Sequence, residues 1–519
     1  MNPSIVALPV AIPLFAAALT LVAGRRPRAQ LWISVFALTL VLAVATVLLI
    51  QVEEHGTIAF SVGGWPPPIG IELVADRLSV LMVIVSAAVT LAVLVYSQGQ
   101  GISDANEETP LSIYHPTYLV LVAGVANAFL AGDLFNLFVG FEILLGASYV
   151  LITLGGTRSR IRAGTTYVVV GVISSTLFLI AIALIYAATG TVNMAQLSIR
   201  LADVAVPVAL GLQAMLLVAF AVKAAIFPLS AWLPDSYPTA PAPITAVFAG
   251  LLTKVGVYAI LRTQTLLFPE GRLDALLMWA GLLTMIVGIL GAVAQSDIKR
   301  MLSFTLVSHI GFIVFGIGLA TTDAVSAAMF YVVHHIIVQT TLFLIAGLIE
   351  RTAGTTSIPR LGGLARLAPF LAAIFLVSAF NLSGIPPLSG FLGKLGLMEA
   401  AVDKGGWLSY VLVAGGIVTT LLTLFAIGKV WNGAFWQAPP DRLLRSFGVN
   451  EDGVTVDEER SSKTIIPMGM LIPTTALVVL ALALTVFAGP IFDYTQRASQ
   501  ELIQRTPYIE AVFNREVPR

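Results

Sequence analysis

The chain has 519 residues, of which 58% are apolar and only 11% charged; its net charge is zero and it contains no cysteine. Such a composition excludes a soluble domain of this size, and the missing thiols exclude Cys-held iron–sulfur clusters, Cys-ligated zinc and disulfides within the chain. Neutral charge gives no signal for a nucleic-acid partner.

Long uncharged apolar runs recur from end to end, each long enough to cross a bilayer. A transmembrane β-barrel would instead show weak alternating segments of about ten residues. The expected fold class is therefore an all-α polytopic membrane protein. Fourteen spans are expected, near 3–23, 30–50, 75–97, 115–131, 134–154, 164–188, 206–232, 243–264, 274–295, 300–319, 324–349, 365–400, 408–436 and 466–491. The first begins at Pro3 without a basic stretch before it and reads as a retained span. Spans 7 and 12 contain prolines and are expected to be broken.

Basic residues set the orientation. Fifteen of them fall in odd-numbered connections: Arg25, Arg26, Arg28, Arg158, Arg160, Arg162, Lys299, Arg300, Arg351, Arg360, Arg366, Arg442, Arg445, Arg460 and Lys463. Even-numbered connections hold only four, Arg200, Arg262, Arg272 and Lys404. Lys and Arg concentrate on the cytoplasmic side, so both termini are expected outside a cell (inner or plasma) membrane. The connection 98–115, with Asp104, Glu107 and Glu108, runs against the trend, but acidic residues weigh little in this rule. Arg77, beside Asp76, and Lys429 lie near span ends, from which a long basic side chain reaches the interface.

The chain repeats itself. TLFLIA occurs at 176–181 and 341–346, PLSAW at 228–232 is echoed by PLSGF at 387–391, and LLTK at 251–254 by LLTL at 421–424. Three matches in the same order indicate duplication of spans 4–8 as spans 9–13. Five spans is an odd number, so the copies form an inverted repeat, a common transporter plan. The expected segments are 1–114 with spans 1–3, 115–264 as the first five-helix repeat, 265–436 as the second, 437–465 as a cytoplasmic loop, and 466–519 as the last span and an external tail.

The broken spans carry the chemistry. Pro228 cannot donate to the carbonyl of Ala224, and Pro386 and Pro387 free those of Leu382 and Ser383. Freed carbonyls at membrane depth need polar partners. Lys223 and Lys394 stand within two turns of these breaks. Glu142 is the one mid-span carboxylate, and because an unpaired buried charge costs several kcal/mol, Glu142 is expected to pair with Lys223. Between the copies lie Lys254, His309, His334 and His335. Burial brings a lysine towards neutrality and histidine is already near it, so the series Glu142, Lys223, Lys254, His335 and Lys394 forms a candidate proton wire. Of the adjacent histidines one is expected to face the relay and the other to pack, since neighbours on a helix point about 100° apart; the same divergence argues against a metal site there. The bland readings are a structural Glu142–Lys223 pair and a packing role for Lys254. Glu399 and Asp403 read as solvated, and Asp133 as a helix cap.

KAAIFPLSAWLPDSYPTAPAPITAVFAGLLTKVGVYAILR (223–262) resembles the signature of the antiporter-like membrane subunits shared by respiratory complex I and Mrp-type cation/proton antiporters. Ser230, where complex I homologues usually have histidine in a PxHxWLP pattern, and the fourteen-span length resemble the D-type member of the Mrp group. The resemblance implies that Glu142, Lys223, Lys254 and Lys394 translocate protons in a multisubunit Na+/H+ antiporter, with no cofactor of this chain's own and with subunits A, B, C, E, F and G as partners. It implies a secondary transporter subunit rather than an enzyme. One departure concerns span 11, where the family often places a lysine four residues after the histidine; here His335 is followed by Gln339. The rival from another class is a membrane-arm subunit of NADH–quinone oxidoreductase or of a membrane-bound hydrogenase, in which the same wire is driven by redox chemistry elsewhere. A scaffold with a fossil pathway is disfavoured because every costly residue is kept.

Overall fold

The computed structural model describes residues 3–100, 111–447 and 466–513. The acidic stretch with Asp104, Glu107 and Glu108, and most of the 437–465 loop with Arg460 and Lys463, lie outside the described residues. Among the described residues thirteen helices are long and apolar enough to cross a membrane. The expected span 12 is divided between two shorter helices, Pro369–Ser383 and Ser389–Lys404. Apart from helices the described residues hold one antiparallel ribbon, β1 (Ile58–Ser61) paired with β2 (Glu72–Ala75).

Burial sorts the spans into a core and a rim. Span 8 (Ala242–Leu266) and span 11 (Thr322–Ala353) are wholly buried along their most apolar windows, and span 10 (Ile298–Leu319) nearly so. Spans 1 (Pro3–Ala23), 2 (Pro27–His55), 6 (Arg158–Thr189) and 13 (Trp407–Trp436) leave most of theirs unburied. Every candidate lysine or histidine except Lys223 and Lys394 therefore sits on a helix that other helices shield almost completely, as ionisable groups at membrane depth require.

Two pieces of backbone recur at the offsets of the sequence repeat. Span 7 (Val206–Ala224) ends in Ala225 and the first half of span 12 ends in Gly384, both left-handed at φ 57° and 78°. In each, the next isoleucine closes a wide turn: Ile226 N–H donates to the Ala221 carbonyl at 3.0 Å, Ile385 N–H to that of Phe380 at 3.1 Å. The second piece begins span 5 (Leu134–Thr153) and span 10. Asp133 and Asp297 cap these helices through the N–H groups of Asn136 and Arg300, and bridge to Asn193 and Ser357 respectively. Leu134 N–H donates to Val192 and Ile298 N–H to Thr356, at 2.9 and 3.0 Å. The capping role expected of Asp133 is thus present.

Arg77, near a span end, pairs with Glu53 at 2.6 Å and with Glu501. One expectation needs correcting. Arg262 is not a loop residue but lies in span 8 with 1% exposure, forked onto Asp76 at 2.5 and 2.8 Å and flanked by the rings of Tyr258 and Tyr508. The segment after span 14 (Met468–Val486) is helical. Ala488–Gln504 packs its Thr495, Ala498, Ser499 and Leu502 face inwards, and Thr506–Phe513 follows it back onto the body.

Candidate functional site: a buried polar axis

At the first break Lys223 is 8% exposed, with its Nζ 4.9 Å from the centre of the Phe141 ring. The expected direct pair with Glu142 is not formed. Ser175 of span 6 stands between them: Lys223 Nζ donates to Ser175 Oγ at 3.0 Å, and Ser175 Oγ donates to Glu142 Oε1. One hydroxyl that both accepts and donates joins an ammonium to a carboxylate without burying a contact ion pair. Glu142 itself is exposed on the perimeter of the chain. A small pocket lies against Lys223 and is lined by Val222, Tyr167, Trp232 and Tyr237.

At the second break the freed carbonyls find the partner that the prolines call for. Lys394 Nζ donates to the carbonyls of Leu382 and Ser383, each at 3.2 Å, and lies 5.1 Å from the centre of the Phe312 ring. Gly390 lets this half-helix close on span 11, since a Cβ there would stand 2.9 Å from the His334 ring and overlap the Asn381 carbonyl.

Lys254 is fully buried just past the end of a π-helical segment, Phe248–Leu252, and donates to the Ala249 carbonyl at 2.6 Å. Its helix packs against the first break: at Gly256 a Cβ would come 2.8 Å from Ala224 N. No hydrogen bond joins Lys254 to Lys223 or to a histidine among the described residues.

The histidines cluster. His335 stacks on His309 with centroids 5.4 Å apart, and neither ring nitrogen of His335 has a hydrogen-bond partner. Tyr331 O–H lies 2.7 Å from His309 Nδ1 and its ring stacks on His334. His334 Nδ1 meets Ser389 Oγ at 3.0 Å, and Ser389 donates to Asn381 Oδ1 at 3.1 Å. Gln339 donates to the Leu302 carbonyl at 2.7 Å, leaving its Oε1 without a partner. The structure therefore brings together Glu142 with Lys223, and His309, His334, His335 with the span 12 break that carries Lys394. Lys254 stands between the two groups.

Residues 131–423 match the family model described as NADH:quinone oxidoreductase/Mrp antiporter, TM. The chain is 40% identical to the D-type chain of the Na(+)/H(+) antiporter of Alkalihalophilus pseudofirmus, over 98% of its length and 99% of that protein. It is 34% identical to the antiporter chain of the same type from Bacillus subtilis, over 98% and 99%. The chain belongs to the NADH:quinone oxidoreductase/Mrp antiporter family. Among solved structures it resembles a chain of the Mrp complex from Dietzia sp. DQ12-45-1b, with TM-score 0.89, 33% identity and coverage of 99% and 100%. It also resembles a chain of the membrane-bound sulfane sulfur reductase, an archaeal respiratory membrane complex, with TM-score 0.86, 28% identity and coverage of 98% and 100%.

The family resemblance points to charged residues and passes over the neutral ones between them. Ser175, Tyr331, Asn381 and Ser389 make most of the hydrogen bonds of the axis. A hydroxyl or amide inside an uncharged run is the only signal they leave, and the chain has many such residues.

Proposed function

We propose that this chain is the proton-conducting subunit of a multisubunit Na+/H+ antiporter. The observation that carries the reading is the buried axis itself: three lysines and three histidines, all under 9% exposed, each near a hydroxyl, carbonyl or ring that makes its charge tolerable. A structural ion pair needs one anion per cation; here one glutamate, Glu142, is coupled through Ser175 to one lysine, Lys254 and Lys394 are held by neutral carbonyls, and the histidines have no carboxylate partner among the described residues. Such groups are easily neutralised and so pass protons on. Pro228, Pro386 and Pro387 open the backbone at both ends of the series, in helices expected to run in opposite senses across the membrane.

Glu142 gives the reading a direction. A carboxylate on the rim of a chain at membrane depth needs a polar neighbour, so the axis continues into an adjoining subunit. Antiporter subunits named A, B, C, E, F and G are the partners we assign, with Na+ handled by the complex as a whole. The redox-driven alternative is supported by the likeness to the archaeal respiratory complex, but the higher identity and full-length match to antiporter subunits favour antiport.

The test is sodium-dependent proton flux in everted vesicles. The complete complex is expected to show it, and this chain expressed alone is not. Absence of flux from the complete complex would overturn the reading.

Orientation and relay give two further expectations. A tag in the 437–465 connection should be cytoplasmic and one at the C-terminus outside; both on one side would refute the span count. His335→Ala should stop antiport, because its ring has no structural bond to lose and so only the relay is touched. His334→Ala should be milder, since the Ser389–Asn381 bond survives it. Full activity in both would remove span 11 from the path.

A further inference from the structure

The recurring cap at the start of spans 5 and 10 is not the same in the two copies. At the basic, cytoplasmic end, Asp297 uses both carboxylate oxygens: Oδ1 accepts from Arg300 N–H at 3.0 Å and Oδ2 from the Thr356 hydroxyl at 2.6 Å. In the first copy Asp133 Oδ1 accepts from Asn136 N–H at 2.6 Å, but Oδ2 is buried without a hydrogen bond. The cause is one residue. Val192 stands where Thr356 stands, as their matched carbonyl bonds to Leu134 and Ile298 show, and valine has no hydroxyl to give. Asp133 is 5% exposed.

The surroundings are polar. Asn193, bridged to Asp133 and wholly buried, has an Nδ2 that donates to nothing. Asn136 Nδ2 is likewise buried and unused. Glu72, on β2, lies alongside: its carbonyl accepts from Gly132 N–H at 2.8 Å, and its buried carboxylate accepts from Ser61 and adds its charge to the Asp133 site. A buried carboxylate with a free oxygen beside a second carboxylate is set up to take a proton, because the two cannot both hold their charge cheaply.

We propose that Asp133 is a proton-binding site at the outer end of the first repeat, left open by Val192 where the cytoplasmic copy is closed by Thr356. It takes a proton on Oδ2 from the external side and returns it there or to the axis. Burial, with Glu72 adding to it and the N–H that Asn136 donates to Oδ1 opposing, pushes the Asp133 carboxyl up to about 6. The transport role rests on the antiport reading and its orientation; proton binding does not.

Two readouts keep these apart. In the purified complex, the infrared C=O band of a protonated carboxyl is followed against pH. A component titrating near pH 6 is expected, absent in Asp133→Asn and moved acidward by roughly one pH unit in Val192→Thr, since a hydroxyl bond favours the charged form. In right-side-out vesicles, antiport against external pH should follow the same order: a loss of roughly tenfold or more in Asp133→Asn and an acidward shift in Val192→Thr. Asparagine keeps the cap to Asn136; if it still assembles poorly, Val192→Thr decides. Identical infrared titrations in all three proteins would overturn the site. An unaltered antiport profile with an altered infrared titration would overturn its place in transport, and a wild type without sodium-dependent flux would overturn the antiport reading alone.

Discussion

Lys223→Arg is expected to assemble at near-normal levels and to lose most sodium-dependent proton transport. Arginine keeps the positive charge beside Phe141 and has donors to spare for Ser175 and Glu142. Its guanidinium stays protonated far above physiological pH, so it cannot release a proton during turnover. A purely structural lysine would tolerate the change and a relay lysine would not. Lys223→Ala discriminates less well, because it also strips Ser175 and Glu142 of their cation. Complex abundance on native gels, read beside antiport in everted vesicles, measures both halves. Normal antiport would mean that Lys223 only steadies Glu142 through Ser175.

The largest expected effect on stability lies away from the axis. Arg262→Met should sharply reduce the amount of folded chain, because it leaves Asp76, 5% exposed, without the fork that holds both its oxygens. Breaking a buried pair from one side costs roughly 3–5 kcal/mol, mostly from the charge left behind. Arg262 also lies between Tyr258 and Tyr508, so the C-terminal helix Thr506–Phe513 should loosen with it. Adding Asp76→Asn should recover a large part of the loss, since the stranded charge is then gone. Thermal unfolding of the detergent-solubilised complex gives the comparison; a double variant no better than Arg262→Met would show that packing between the tyrosines, not charge, is what matters.

The spans are legible because each apolar run states its own length, and the breaks because proline removes a donor wherever it stands. Lys394 on the carbonyls of Leu382 and Ser383 follows from those facts alone. What hydropathy lacks is direction. It reads Arg262 as a basic residue near a span end, not as a side chain turned inwards to an aspartate 186 positions away. For the same reason it points Glu142 straight at Lys223: nothing in a run of apolar residues says that Ser175, in another span, comes between them. The C-terminal helix escapes the reading differently. Its charges interrupt the apolar run that a span count looks for, while its inward Thr495, Ala498, Ser499 and Leu502 keep helical spacing. The asymmetry between Val192 and Thr356, each preceded by Gly-Thr, takes on meaning only when the two copies are matched by their bonds, because the sequence does not say which carboxylate each position faces.

Lys254 offers the most direct test of the claim that protons cross along this axis. It is fully buried, its one hydrogen bond goes to the Ala249 carbonyl, and methionine approaches its length without its charge. Removing a buried charge offsets the loss of that bond, so the Lys254→Met chain should enter the complex normally. In proteoliposomes holding the complete complex, an imposed sodium gradient should drive proton movement with the wild-type chain and almost none with Lys254→Met. Undiminished proton movement with Lys254→Met, at equal complex content, would place the proton path outside this chain.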